Sequence, residues 1–284
     1  MKCSCIDIGS NTIKASVFEK NGMHWKNSVY LSEQTGLVKY LENGILNEEG
    51  IVALCSALKK LVKFSLEHGA DRIFAFATAA LRSASNIEEI KKTVFCDVGI
   101  QFEVISAEEE ALCSLRGLLL DERCEGIKEG IMIDMGGGST EIVYFSNGKE
   151  PQIASLPFGC LSLTQNSENT SDLVLEELQA CTFIKNSKIP VFLIGGTARA
   201  IAILIGYYNG RNKTKYKISD FKLVCEKMTE DDFVNVCRNL IPKRVHTIVA
   251  GAVAMHEILK YISSDSIYFS DSGVREGYLE KILM

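Results

Sequence analysis

Ile131-Met132-Ile133-Asp134-Met135-Gly136-Gly137-Gly138-Ser139-Thr140-Glu141-Ile142-Val143 is the stretch whose reading decides the fold. An apolar run of strand length ends in a carboxylate; three glycines and two hydroxyls follow, then a second β-branched run. The order reads as strand, phosphate loop, strand. Glycines accept left-handed backbone and let N–H groups approach an anion closely, and Ser139 and Thr140 can add hydroxyl donors to phosphate oxygens. Asp134, at the carboxyl end of the first strand, is placed to hold a divalent cation through water. A Gly-rich hairpin without a ligand would account for the glycines, but not for a second copy of the pattern.

That copy is Cys5-Ile6-Asp7-Ile8-Gly9-Ser10-Asn11-Thr12-Ile13. One constant displacement of the chain sets Ile6 on Ile133, Asp7 on Asp134, Gly9 on Gly136, Thr12 on Ser139 and Phe18 on Phe145. Duplication on this scale predicts two similar α/β lobes, whose inward-facing loops would hold one phosphate chain from opposite sides.

The composition fits this expectation. A chain of 284 residues, 46% hydrophobic and 24% charged, is that of a globular protein long enough for two cores. No apolar run reaches membrane-spanning length, and the opening MKCSCIDIGS passes into a strand pattern instead of a signal peptide, so a cytoplasmic protein with no membrane partner is expected. The ten cysteines are scattered, several inside apolar runs (Cys55, Cys113, Cys237), with no Cys-x-x-Cys pair and four histidines; this predicts buried free thiols. A net charge of −5 argues against nucleic-acid binding, so any polyanion must be held locally.

Outward from the Asp7 loop, Lys14 to Phe18 reads as a strand, Asn21-Gly22 as a turn and Trp25 to Leu31 as a third strand. Residues 33–47 read as a loop over the site, and Asn47-Glu48-Glu49 starts a helix with Ile51, Leu54, Cys55, Leu58, Leu61 and Val62 on one face. The strand Arg72 to Ala77 runs into Thr78–Asn86, where Arg82 could clamp phosphate by bidentate donation or be a solvated helix arginine. Asn86 is the expected cap of a helix from Ile87 to Phe95. Ser106 and Glu109 form a capping box, which together with the helix dipole explains Glu108 and Glu109. Glu110 lies about 100° further around, where nothing local requires a carboxylate; it is either a general base or an exposed helix glutamate. Further on, Gln152 to Leu156 is a strand, Phe158-Gly159-Cys160 a turn into a helix, and Leu173 to Lys185 a helix of imperfect period. Val191–Arg199 repeats the strand, glycine turn and helix, and Arg211, Lys213, Lys215 and Lys217 read as a solvated loop. Arg244 to Tyr261 reads as a long helix, Ser266 to Phe269 as a last strand, and Asp271–Gly277 as the lead into a short terminal helix.

Taken together, DIGSNT at 7–12, ATAALRSASN at 77–86, SAEEEA at 106–111, IDMGGGSTEIV at 133–143, PFGCLSLT at 157–164, IGGTARAIA at 194–202 and SDSGVREGYL at 270–279 resemble the exopolyphosphatase and guanosine pentaphosphate phosphatase (Ppx/GppA) family, in order and across the chain. The first, fourth and sixth blocks are shared with a wider superfamily; ATAALR, EEEA and SGVREG are the specific ones. The resemblance implies an α/β fold of two duplicated ribonuclease-H-like lobes, of the actin, hexokinase and chaperone ATPase superfamily, with the active site in the interlobe cleft. The lobes would be residues 1–122 and 123–272, with 273–284 packing back on the first. The implied activity is release of terminal orthophosphate from inorganic polyphosphate or guanosine pentaphosphate by water. Glu110 matches the family's catalytic base, and Asp134 the acidic residue that positions metal and nucleophile, with Asp7 a second metal candidate. Ser10, Asn11 and Thr12 and Gly136, Gly137, Gly138 and Ser139 match its phosphate loops, and Arg82 its phosphate-contacting arginine. Gly196 and Thr197 match a phosphate-side wall. Mg²⁺ or Mn²⁺ as cofactor and a homodimer are further implications. With an acidic chain, the metal, loop N–H groups and a few cationic side chains would have to neutralise the phosphates.

Two departures matter. Leu112 stands where the family often has Arg, and the chain ends after the two lobes without a His-Asp dipeptide, the expectation for a short form acting on short chains or guanosine pentaphosphate. Two rival classes are an ATP-dependent small-molecule kinase, which would need an acceptor pocket and an adenosine cleft, and a non-catalytic sensor of polyphosphate or an alarmone, suggested by Leu112. The ATAALR and EEEA blocks weigh against the kinase, and the retention of Glu110 and Asp134 against the sensor.

Overall fold

The computed structural model describes residues 1–21, 24–124, 126–164, 169–210 and 215–283. Gly22 of the expected Asn21-Gly22 turn, and Arg211 and Lys213 of the basic loop, lie outside the described residues. The chain divides into two units: Met1–Leu120 together with Val274–Met284, and Asp121–Gly273.

Unit one runs β1 (Lys2–Ile8), β2 (Thr12–Asn21), β3 (His24–Gln34), the short hairpin β4 (Leu41–Glu42) and β5 (Ile45–Leu46), α1 (Glu48–Glu67), β6 (Arg72–Ala77), α2 (Ala79–Arg82), α3 (Ile87–Val98), β7 (Glu103–Val104) and α4 (Ala107–Leu119). Its sheet has the order β3-β2-β1-β6-β7. β1, β2 and β3 form an antiparallel meander, and β6 and β7 continue parallel to β1. Unit two runs β8 (Glu129–Met135), β9 (Thr140–Ser146), β10 (Gln152–Leu156), α5 (Cys160–Thr164), α6 (Thr170–Leu178), β11 (Val191–Ile194), α7 (Gly195–Asn209), α8 (Ile218–Lys227), α9 (Phe233–Leu240), α10 (Ile248–Ile262) and β12 (Ile267–Phe269). Its sheet, β10-β9-β8-β11-β12, repeats both the order and the strand directions of the first. The final helix, α11 (Val274–Leu283), belongs to unit one. The duplicated ribonuclease-H-like topology is thus present in both halves, and its register carries the sequence repeat: Asp7 sits opposite Lys14, and Asp134 opposite Glu141.

β1 is buried on both faces because its alternation is apolar on both. Ile6 and Ile8 pack with Leu54, Leu58 and Leu61 of α1 on one side, whereas Cys3 and Cys5 pack with Phe76, Cys113 of α4 and Tyr278 and Leu279 of α11 on the other. α11 is held there by side chains as well as by packing. Trp25 Nε1 donates to Glu280 at 2.8 Å, Arg275 Nη1 to Ser16 Oγ at 2.6 Å, and the Tyr278 hydroxyl to Glu103 at 3.0 Å. At Gly277 a Cβ would stand 1.8 Å from the Cys113 carbonyl oxygen, so only glycine lets α11 approach α4 this closely.

Local structure differs from the sequence reading in several places. The long helix expected from Arg244 begins at Ile248, because Pro242–Arg244 forms a 3₁₀ turn and Thr247 precedes the first helical turn. The helix expected over Leu173–Lys185 is α6, which ends at Leu178; burying both Cys181 and Ile184 requires the chain to turn through a 3₁₀ segment at Thr182–Ile184. Asn86 does not cap α3 with its side chain; it accepts from the Leu46 amide (3.1 Å) and donates to the Leu46 carbonyl (3.0 Å). Residues 33–47 are largely structured, holding the end of β3, a 3₁₀ turn at Leu37–Tyr40 and the β4–β5 hairpin. Asn47 does cap α1, accepting from the Gly50 amide at 2.9 Å. The cysteines are free and all but Cys96 and Cys225 are buried. Among the described residues no helix is long and apolar enough to cross a membrane.

Candidate functional site

The loop of unit two is a four-residue hairpin connection closed by the Gly136 amide donating to the Ser139 carbonyl (2.9 Å). The loop of unit one closes in the same way, Gly9 N–H to Thr12 carbonyl at 3.3 Å. In each copy a Cβ on the first glycine would crowd that same carbonyl oxygen, at 3.0 Å for Gly9 and 3.3 Å for Gly136.

The unit-two loop is backed by the start of α5. The Gly136 carbonyl accepts from the Cys160 amide (3.0 Å), and the Gly137 carbonyl from the Leu161 and Ser162 amides (3.0 and 3.3 Å). In a trans peptide the N–H points opposite the C=O, so the Gly137 and Gly138 amides are turned away from α5, as an oxyanion receptor requires. Thr140 fixes the backing strand by donating to the Phe158 carbonyl (2.7 Å), and a Cβ at Gly159 would lie 2.5 Å from the Gly137 carbonyl carbon. Ser139 is half-buried at the end of this loop.

Asp134 is the last residue but one of β8, beside the start of α7. Gly195 there adopts φ +88°, and a Cβ on it would meet Asp134 Oδ1 at 2.5 Å, so the carboxylate rests on bare backbone. Across the strand pair Asp134 faces Glu141, a buried carboxylate that accepts from Ser155 Oγ at 3.1 Å. Gly196 and Thr197 follow in the first turn of α7, with Thr197 Oγ1 buried and without a hydrogen-bond partner among the described residues. The Arg244 guanidinium lies against this turn: Nη1 is 3.5 Å from Cys160 Sγ, and Nη2 occupies the space a Cβ on Gly196 would need, 2.2 Å away. One cation therefore adjoins both the α5 and the α7 N-terminal turns.

In unit one the Ser10 carbonyl accepts from Val38 N–H (3.0 Å) and the Asn11 carbonyl from Gly36 N–H (2.9 Å), which ties the Gly9–Thr12 loop to the 3₁₀ turn. Asp7 stands opposite Lys14, so the repeat has diverged: the carboxylate pair of unit two is an opposite-charge pair here. At the other end of β6, α2 carries Arg82, whose Nη1 donates to the Ile105 carbonyl and to Glu110 Oε2, both at 3.0 Å. Three successive glutamates open α4. Ser106 caps the helix through the Glu109 amide (3.1 Å), Glu109 pairs with Lys281 of α11, Glu108 is exposed, and Glu110 alone meets Arg82.

The structure thus brings Arg82 and Glu110 together in unit one, and Asp134 together with the Gly136–Ser139 loop and the Gly195–Thr197 turn in unit two. Glu141, Arg244 and Lys14 were not singled out by the sequence reading. For Arg244 the available signal was the second glycine of Gly195-Gly196, which has no left-handed backbone to explain it and marks a close approach instead. Among the described residues there is no cluster of three or more His, Cys, Asp or Glu that could enclose a metal ion. Asp134 with Glu141 opposite fits Mg²⁺ or Mn²⁺ only in the mode where one or two carboxylates are completed by water and substrate phosphate. Burial pushes the Cys5 thiol well up, which disfavours it as a nucleophile.

The sequence profile of the Ppx/GppA phosphatase family matches residues 26–284. A bifunctional 3-dehydroquinate synthase/phosphatase of Fusobacterium nucleatum is 27% identical over 94% of this chain, which spans 44% of that relative's length. Exopolyphosphatase 1 of Mycobacterium tuberculosis is 25% identical over 98% of this chain and 87% of its own. Among solved structures, the Ppx/GppA family member from Aquifex aeolicus superposes with a TM-score of 0.81 at 26% identity, covering all of this chain and 98% of the other.

Proposed function

From its membership in the Ppx/GppA phosphatase family, we propose that the chain is a phosphoanhydride hydrolase that releases terminal orthophosphate from inorganic polyphosphate or guanosine pentaphosphate. The observation that carries this reading is the loop at Gly136–Ser139, whose carbonyls are engaged by α5 and whose Gly137 and Gly138 amides are turned away from it, beside the Asp134 carboxylate. Amides in that orientation stabilise charge on the transferred phosphoryl oxygens, and Arg82 and Arg244 add local positive charge in a chain whose net charge is −5. Asp134 would hold Mg²⁺ or Mn²⁺, which when bound supplies charge neutralisation across the phosphate oxygens. Glu110 is the general base: its carboxylate takes the proton of the attacking water, and Arg82 fixes its orientation through Oε2. In unit one, Ser10, Asn11 and Thr12 are the corresponding phosphate-loop residues.

A binding-only sensor is the second reading, favoured by the fact that the Glu110 carboxylate is already engaged by Arg82. The two are separated by measuring orthophosphate release with Mg²⁺ from short polyphosphate, long polyphosphate, guanosine pentaphosphate and ATP, with and without EDTA. Metal-dependent release from polyphosphate or the pentaphosphate supports hydrolysis. Binding of these anions with no release under any divalent metal supports the sensor, and ATP-dependent phosphorylation of an acceptor would contradict both.

A further inference from the structure

The two sheets compare themselves at their outer edge. In unit two β11 is flanked on both sides: Val191, Phe192 and Leu193 pair with Ile131, Met132 and Ile133 of β8, and also with Ile267, Tyr268 and Phe269 of β12. The Val191 amide donates to the Ser266 carbonyl at 2.8 Å. The topological counterparts in unit one are Ile73, Phe74 and Ala75, which pair with Ser4, Cys5 and Ile6 of β1. Their outer side has no strand among the described residues, because β7 meets β6 only at Phe76↔Glu103 and Ala77↔Val104. The Ile105 amide donates to the Ala77 carbonyl (3.1 Å), and backbone groups alternate along a strand, so those of Ile73 and Ala75 point to the same, unpaired side. Beside them lies an open groove of about 740 Å³, with Phe95, Phe102 and Tyr278 on its walls. Phe95 is 53% exposed.

Unit two shows what fills such an edge. Tyr268 stacks on Phe192, centroids 5.3 Å apart at 16°, and Ile267 is fully buried. Phe74, at the position of Phe192, has instead the guanidinium of the exposed Arg72 over its ring at 4.7 Å. Arg72 precedes Ile73 as Pro190 precedes Val191, so it stands beside the place that Ser266 takes in unit two.

We propose that the outer edge of β6 is a docking site for an extended segment of another polypeptide, added parallel to β6. The segment carries an aliphatic-aromatic-aromatic triplet with an acidic residue immediately ahead of it. Main-chain hydrogen bonds to Ile73 and Ala75 supply the adhesion, the central aromatic ring stacks on Phe74, and the carboxylate draws Arg72 off that ring. The site lies wholly in unit one and is independent of the hydrolase reading.

The test uses the intact chain and a fluorescein-labelled heptapeptide, Asp-Glu-Ile-Tyr-Phe-Ser-Asp, which is residues 265–271 with Glu in place of Ser266. Expected are a saturable anisotropy rise at a peptide concentration below about 1 mM and slower hydrogen exchange at the Ile73 and Ala75 amides. Binding should weaken about tenfold with Arg72→Glu, whose exposed site leaves the fold intact, and about as much when proline replaces the peptide's tyrosine. No anisotropy change with unaltered exchange overturns the proposal, as does binding indifferent to both substitutions. Protection of Ile73 and Ala75 that grows with protein concentration alone, with a dimer in sedimentation, also overturns it and assigns the edge to a second copy.

Discussion

Glu108, Glu109 and Glu110 are one residue type in three consecutive positions, and a single helical turn sends one to solvent, one to Lys281 and one to Arg82. The planar fork of Arg82 serves two acceptors from one nitrogen, the Ile105 carbonyl and Glu110. Arg82→Lys keeps the charge but not the fork, so kcat/KM for phosphate release should fall by about ten- to a hundredfold while the melting temperature hardly moves. At Gly195 the positive φ and the contact with Asp134 forbid a side chain. Gly195→Ala is expected to cost about 1–3 kcal/mol in denaturant unfolding and to displace the Asp134 carboxylate, lowering activity beyond the stability loss. The loop residues were legible because glycines and hydroxyls after an apolar run have few other uses. Arg82 and Glu110 were open between two meanings, since spacing says which face a residue is on and not what stands opposite. Arg244 acquires its neighbours from elements distant in sequence, and Glu141 faces Asp134 only through the register of the β8–β9 hairpin.

At the scale of elements, α4 and α11 approach closely, which Gly277 makes possible. Gly277→Ala should separate them and destabilise unit one by about 1–3 kcal/mol or more, read as a lower denaturation midpoint. In α10, burial lowers the pKa of His256 from 6.5, with Lys260 and Lys222 acting in the same sense and Glu257 opposing. A histidine kept neutral in the fold is protonated first in the unfolded chain, so stability is lost as pH falls below about 6.5. Between pH 7 and 5.5 the melting temperature should fall more for the wild type than for His256→Asn. Element types were legible from periodicity, and element ends were not: α6 and α10 differ from their expected bounds because Ile184 and Pro242 answer to the core and to ring geometry rather than to helical period.

For the whole molecule, the repeat that was visible in two short loops extends to strand order, strand direction and the closing hydrogen bond of each loop. Two similar α/β lobes were therefore legible from the duplication and their ribonuclease-H-like topology from the family resemblance, while the divergence of Asp7–Lys14 from Asp134–Glu141 appeared only with the register. Because α11 returns to unit one, deletion from Val274 onward should uncover Cys5, Phe76 and Cys113 and unfold unit one. Hydrogen exchange should report that loss in β1 and β6. The most direct test of the central claim, that Glu110 activates water at a phosphate site, is orthophosphate release by wild type and Glu110→Gln with Mg²⁺, alongside substrate binding by both. Amide for carboxylate preserves shape, so release should be lowered by about 10²–10⁴-fold with binding retained. Release by Glu110→Gln at the wild-type rate would contradict it.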